Sequence, residues 1–349
     1  MHISLLYQYA PLFFRSQHSL IFATNCFRYI GVLAYVFPVN PKERKWLRQM
    51  SGTVTALVEN RVLPWNYGLT RLYFRWMFHL TSYGKQPLVV FQMGKVGSKT
   101  IEWTLKAALP FIPVYHAHIL SASSIQSEET YRYGHHPRFF NKSLLPETSH
   151  LFTSYYLRER IDAGGLSETK RWKIVTLVRD PVARNISGFF EGINQRIPNF
   201  NQKYRIGVIS AQELIEIFVR DYEQHDVPLT WFDSELKPVF GVDVYASEFP
   251  KAKGYEIYEG KYADVLLLRL ENLNTCVHVA FKEFLNLDEI ILVSENLSRS
   301  KDYFSAYNQF LTSIVLAPSY FDRMYESRYA THFYTSEEID GFRRRWSRD

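Results

Sequence analysis

The chain has 349 residues, 46% of them hydrophobic and 22% charged, with a formal net charge of +6. That length can bury a full core in one large domain or two modest ones, and the composition excludes a disordered or fibrous protein. The basic excess is mild and scattered, so it leaves no nucleic-acid footprint but suits a protein that handles anionic ligands.

Residues 1 to about 80 read as an aromatic-rich helical extension. Within it, "LIFATNCFRYIGVLAYVF" is apolar enough for a membrane span but carries Arg28 at its middle, at a cost of about 2.5–3.5 kcal/mol on insertion scales. Arg15, His18, Asn25 and Arg28 share one helical stripe. Three readings stay open: a helix buried on most sides, a helix in a membrane surface that makes residues 1–40 a peripheral anchor, and a span. No cleavable signal peptide is evident. Cys26 and Cys276 form no disulfide framework and fit a reducing compartment, here the cytoplasm.

From residue 81 to 349 strands alternate with helices. "PLVVFQM" reads as a strand, "KTIEWTLKAAL" as a helix and "IPVYHAHIL" as a strand. "WKIVTLV" is a buried strand, and "DPVARNISGFFEGI" a helix with Asp180 as N-cap and Pro181 in its first turn. "ADVLLLRL" and "NTCVHVAFKEFL" repeat the strand–helix unit. This alternation predicts an α/β fold with a parallel sheet flanked by helices. Residues 194–262 break the rhythm with aromatics, Gly and Pro, and read as an irregular or short antiparallel substrate-region insert. Thr335 and Glu338 have capping-box spacing for a last helix.

Two loops carry anion chemistry. In "FQMGKVGSKT" only two residues separate Gly94 from Gly97, which is too few for a Walker A loop. The amides of Gly97, Ser98, Lys99 and Thr100 would still sit at a helix start, with Lys95 reaching over a bound anion. In "VRDPVARNIS", Arg179 leaves a strand and Ser187 follows two turns into the helix. A planar guanidinium fork and a hydroxyl suit a second anion. Each stretch has a structural alternative, a ligand-free turn for the first and an internal ion pair for the second.

Taken as a pair, the two stretches resemble the P-loop sulfotransferase superfamily, whose donor is 3′-phosphoadenosine 5′-phosphosulfate (PAPS). The resemblance implies a P-loop-type sheet. It assigns Lys95, Gly97, Ser98, Lys99 and Thr100 to the 5′-phosphosulfate, and Arg179 and Ser187 to the 3′-phosphate. "VYHAHIL" resembles the His-x-His strand of uronyl and heparan-type 2-O-sulfotransferases, which implies His118 as catalytic base supported by His116. From the residues alone, a core histidine pair or a metal site remains open. "LTWFDSELKPVFGVDVY" and "FPKAKGYEIY" resemble a bacterial family named for capsular polysaccharide synthesis.

The expectation is therefore sulfuryl transfer from PAPS to a carbohydrate hydroxyl, with no metal and no nucleic-acid partner. Trp231 and Phe232 are candidates to stack on the sugar, and Asp233 or Glu235 a candidate alternative base; the alternative is that this stretch is a structural cover over the cleft. In "SENLSRSKDY", Asn296, Ser298 and Lys301 sit where related enzymes fold a loop over the nucleotide. The competing classes are an ATP-using P-loop phosphotransferase and a catalytically inactive glycan- or nucleotide-binding protein of the same fold.

Overall fold

The computed structural model describes residues 67–82, 85–133, 145–293 and 302–347. The 1–40 stretch and Asn296, Ser298 and Lys301 lie outside the described residues. Among the described residues no helix is long and apolar enough to cross a membrane.

The chain divides into two compact units, one of Met1–Gly84 with Ile125–Tyr156 and one of Lys85–Ser124 with Leu157–Asp349. In the first, aromatic rings do the packing. Phe74 stacks on Phe152 at 4.8 Å and Phe78 on Tyr156 at 5.2 Å. The Tyr156 hydroxyl, buried with them, donates to Ser82 Oγ at 3.0 Å, which satisfies a polar tip that would otherwise be costly to bury.

The second unit is built on five strands: β1 (Leu88–Phe91), β2 (Val114–Ala117), β3 (Trp172–Val178), β4 (Tyr255–Glu259) and β5 (Ala263–Arg269). Their order is β2-β1-β3-β5-β4. All pairs are parallel except β4 with β5. Every residue of β1, β2 and β5 is buried, as expected of short β-branched and apolar runs in a parallel sheet. β4 is one of the two edge strands, with partial burial, and Gly260 closes the turn to β5 through a 2.8 Å bond to Ala263 O. The α/β architecture with a mainly parallel, helix-flanked sheet is the one read from the sequence.

Five helices of this unit bear on the site: α1 (Ser98–Ala108), α2 (Pro181–Glu191), α3 (Ala211–Asp221), α4 (Leu273–Leu285) and α5 (Phe304–Ser313). α2 begins as its sequence predicts, with Asp180 Oδ1 accepting from Val182 N–H at 3.0 Å and Pro181 in the first turn. Its Phe189 and Phe190 pack edge-on against Phe218 of α3 and Phe310 of α5, at 5.4 and 5.1 Å. The last helix, Ser336–Ser347, has its capping box closed in both directions between Thr335 and Glu338.

The 194–262 stretch differs in part from its expectation. Up to residue 240 it is largely helical, with Phe200–Arg205, α3, Val227–Trp231, a π-helical turn at Phe232–Leu236 and Lys237–Phe240, whereas 241–254 is irregular and β4 pairs antiparallel with β5, as expected. Pro228 lies in a first turn, where the missing N–H has no helical acceptor to lose, and Pro238 directly follows the π-helical turn. What reads as loop punctuation is helix initiation.

Phe218 is fully buried at the centre of this aromatic cluster. Phe218→Ala should lower the unfolding free energy by about 3–5 kcal/mol, read as a drop in urea midpoint without a change in slope.

Candidate active site

β1 runs into the loop Gln92–Gly97, and α1 starts at Ser98 with Gly97 as N-cap. Gly97 has φ +92° and Lys95 φ +74°. The first is free for glycine. The second is strained for a lysine, by about 1–2 kcal/mol. A Cβ on Gly97 would also stand 2.7 Å from Leu270 Cδ1. The first ladder bond is Ile101 N–H to Gly97 O at 3.4 Å, so the Ser98, Lys99 and Thr100 amides precede the ladder at the positive end of α1. That end suits an anion.

The sheet order puts this loop at a topological switch point, because the chain goes from β1 to β2 on one side and to β3 on the other. In open sheets of this kind ligands bind at such a point, in the crevice outside the carboxyl ends of the strands. Arg179 leaves β3 into it, and its Nη1 donates to Lys95 O at 3.0 Å. Its peptide is fixed by Tyr329, whose hydroxyl accepts from Arg179 N–H at 3.0 Å and donates to Arg179 O at 2.8 Å. Asp180 is buried with both carboxylate oxygens engaged, Oδ1 by Val182 N–H and Tyr325 OH and Oδ2 by Trp346 Nε1–H. Burial pushes its carboxyl above the ordinary range.

Arg184, which the sequence places only near Ser187, turns inward. Its Nε donates to Gly94 O at 3.0 Å, and Nη1 to Asn185 Oδ1, Tyr222 OH and Gln224 O at 3.1, 3.3 and 3.1 Å. Burial among these neutral acceptors pulls the guanidinium pKa down. The Lys95 ammonium pairs with Glu191 Oε2 at 3.1 Å, and Tyr303 OH donates to the same oxygen at 3.1 Å. Ser187, half-buried, lies one turn before Glu191 on that face of α2. The structure thus gathers Lys95, Gly97, Arg179 and Ser187 around one end of the sheet.

The two histidines also converge. Their rings meet edge-on with centroids 4.4 Å apart. His118 Nδ1 lies 2.8 Å from Gln92 O. A carbonyl can only accept, so Nδ1 carries a proton in this bond, and in the neutral ring that assigns the basic nitrogen to Nε2. A Cβ placed on Gly94 would lie 3.9 Å from His118 Cε1, so this ring borders the loop. His116 Nδ1 lies 3.3 Å from Glu102 Oε2. Burial alone would raise the Glu102 carboxyl, but hydrogen bonds from His116 and Lys106 outweigh it and hold its pKa at about 2.

The expected sugar platform is not one. Trp231 is 4% exposed, Phe232 2% and Glu235 2%, so none offers a face or a free carboxylate to an acceptor. Trp231 packs on Phe91 with centroids 4.8 Å apart and donates Nε1–H to His118 O at 2.8 Å. Glu235 accepts from the Leu120 and Ser121 amides at 2.7 and 2.9 Å and from Ser121 Oγ at 2.9 Å. Asp233 pairs with Arg328. A large ring and an acid at i,i+4 on one helical face is the local signal that Trp231 and Glu235 act together inward. Nothing local marks Arg184 or Tyr329, whose partners lie far away in the chain.

Profile comparison matches residues 204–335 to a family described as "Putative capsular polysaccharide synthesis protein". The match takes in Trp231, Glu235 and Tyr329 but not the 92–97 loop, His118 or Arg179. It covers the two stretches, around Trp231 and Phe249, whose residues resemble that family. No curated protein and no solved structure matches the chain at a significant level.

Replacing Lys95 by Gly removes the left-handed strain together with an ion pair of exposed character, worth about 0–1 kcal/mol. Its Tm should equal or exceed that of the wild type. Acid unfolding should show Glu102: its folded pKa lies below the unfolded value, so its stabilisation is present above pH about 4.5 and is lost as pH falls toward about 2. In Glu102→Gln that part of the stability–pH curve should flatten.

Proposed function

We propose that the chain is a P-loop-type sulfotransferase that moves a sulfuryl group from PAPS to a hydroxyl of a carbohydrate acceptor, in a polysaccharide or glycolipid. The observation that carries this reading is the Arg179–Lys95 hydrogen bond at the switch point, which draws a guanidinium and the helix-start amides to one crevice. The residues fit a donor with two anionic ends. Ser98, Lys99 and Thr100 amides and the Lys95 ammonium would hold the phosphosulfate, and Arg179 and Ser187 the 3′-phosphate. The donor supplies an activated sulfuryl group with a phosphate leaving group.

The chain's own residues then do two things. The Gln92 carbonyl holds His118 Nδ1–H, so Nε2 takes the proton of the attacking hydroxyl. Lys95, exchanging Glu191 for the donor, sets its charge beside the leaving phosphate, while the α1 amides stabilise the same charge without reorganising. Positioning and electrostatics supply the catalysis, as in phosphoryl transfer. A saccharide acceptor is favoured by the matched family, whose description concerns capsular polysaccharide synthesis. ATP chemistry is less well supported, because both oxygens of Asp180, the acid next to the β3 exit, are already engaged.

The desulfated donor PAP should raise Tm, whereas ATP with Mg²⁺ should not; the reverse pattern would sink the reading. With sulfate-labelled PAPS and a glycan panel, His118→Ala should lower turnover by about 10²–10⁴-fold and keep the PAP-induced Tm shift. Lys95→Ala should also lose turnover while PAP still binds.

A further inference from the structure

We infer that Trp231 and Glu235 are positioning residues for His118, a clamp supplied by the family-matched segment to a base that lies outside it; this rests on the sulfotransferase reading. Two sides of His118 are fixed independently. Its ring is held by the Gln92 carbonyl at 2.8 Å, and its own carbonyl by Trp231 Nε1–H at 2.8 Å. The Trp231 ring lies against Phe91, the residue before Gln92. One side chain therefore touches the ends of both β1 and β2, and sets the spacing between the carbonyl that orients the imidazole and the backbone that carries it.

Glu235 fixes the next step of the chain. Its two oxygens take the Leu120 and Ser121 amides and the Ser121 hydroxyl, all at 2.7–2.9 Å. After Ala117 the chain leaves the sheet, so the ladder offers these amides no acceptor. An acid with 2% exposure in their place is a built anchor rather than a surface acid. The geometry needed is narrow: a general base must reach its proton within about 2.6–3.2 Å. Slack of an ångström in residues 118–121 would disengage Nε2 and also loosen the bond that keeps the proton on Nδ1.

The clamp separates from a role in donor binding, since neither residue touches the 92–97 loop amides or Arg179. Two conservative variants test it. Trp231→Phe removes only the indole N–H and keeps an aromatic ring on Phe91; Glu235→Gln keeps the shape but turns one acceptor into a donor facing donors. Each should lower kcat by about tenfold or more, the worth of one buried hydrogen bond. The affinity for PAP should stay within about twofold.

The second readout needs no turnover. Nitrogen-15 NMR of His118 should show the Nδ1–H form in the wild type and a mixture of tautomers in both variants, with the signals of histidines remote from its ring unmoved. A packing role alone would lower Tm and PAP affinity together and leave the tautomer as it was. The inference is overturned if the His118 signal is unchanged in both variants, or if both turn over at the wild-type rate. If the wild type transfers no sulfuryl group to any acceptor, the sulfotransferase reading fails by itself, and the NMR result still decides the clamp.

Discussion

Two successive carbonyls, those of Gly94 and Lys95, are each held by an arginine from the segment that leaves β3, Arg184 for the first and Arg179 for the second. With both carbonyls drawn to the guanidinium groups, the loop takes its left-handed course at Lys95 and Gly97 and delivers the chain to α1 with its first amides unspent. The strain at Lys95 persists because these bonds over-determine it. Without them the loop would relax, and the helix start would lose its orientation toward the crevice.

Holding those arginines is itself demanding. Arg184 is buried, and a buried guanidinium is costly unless its donors are filled. Here the Gly94 carbonyl takes the Nε hydrogen, and the neutral oxygens of Asn185, Tyr222 and Gln224 share the two hydrogens of Nη1. Space is fitted as tightly: a Cβ on Gly188 would stand 2.1 Å from Tyr222 OH, so only glycine lets that phenol reach Arg184. Tyr329 performs the matching task for Arg179 by bonding both sides of its peptide. The high tyrosine content of the chain thus has a use beyond filling a core. A phenol buries a large apolar ring and still brings one donor and one acceptor to a polar group far from water.

Three strand ends meet at the crevice, and each is steadied by a residue distant in sequence: β1 and β2 by Trp231, β3 by Tyr329. Both lie in the 204–335 segment that matches a known family. That segment surrounds the candidate site, while the 92–97 loop, His118 and Arg179 come from outside it. The division explains why a substrate-binding role for Trp231 and Glu235, reasonable for an aromatic and an acid in an atypical stretch, gives way to an internal one.

The strands, α1, α2, the Asp180 cap and the Thr335–Glu338 box are legible in the sequence, because each depends on residues within a few positions of one another: apolar runs, caps and first-turn prolines. The anion-loop and His-x-His candidates are legible for the same reason. The helices of 194–262 are harder to see, since Pro and Gly punctuate loops and helix starts alike. Only the tertiary structure decides that Arg184 faces inward, that Trp231 and Glu235 serve the interior, and that Tyr329 belongs to the site. Apart from the adjacent Asn185, those roles are set by partners 38 to 150 residues away for the arginines and about 114 for the clamp. The direction a side chain takes is fixed by which distant acceptor it can fill, and no local pattern encodes that.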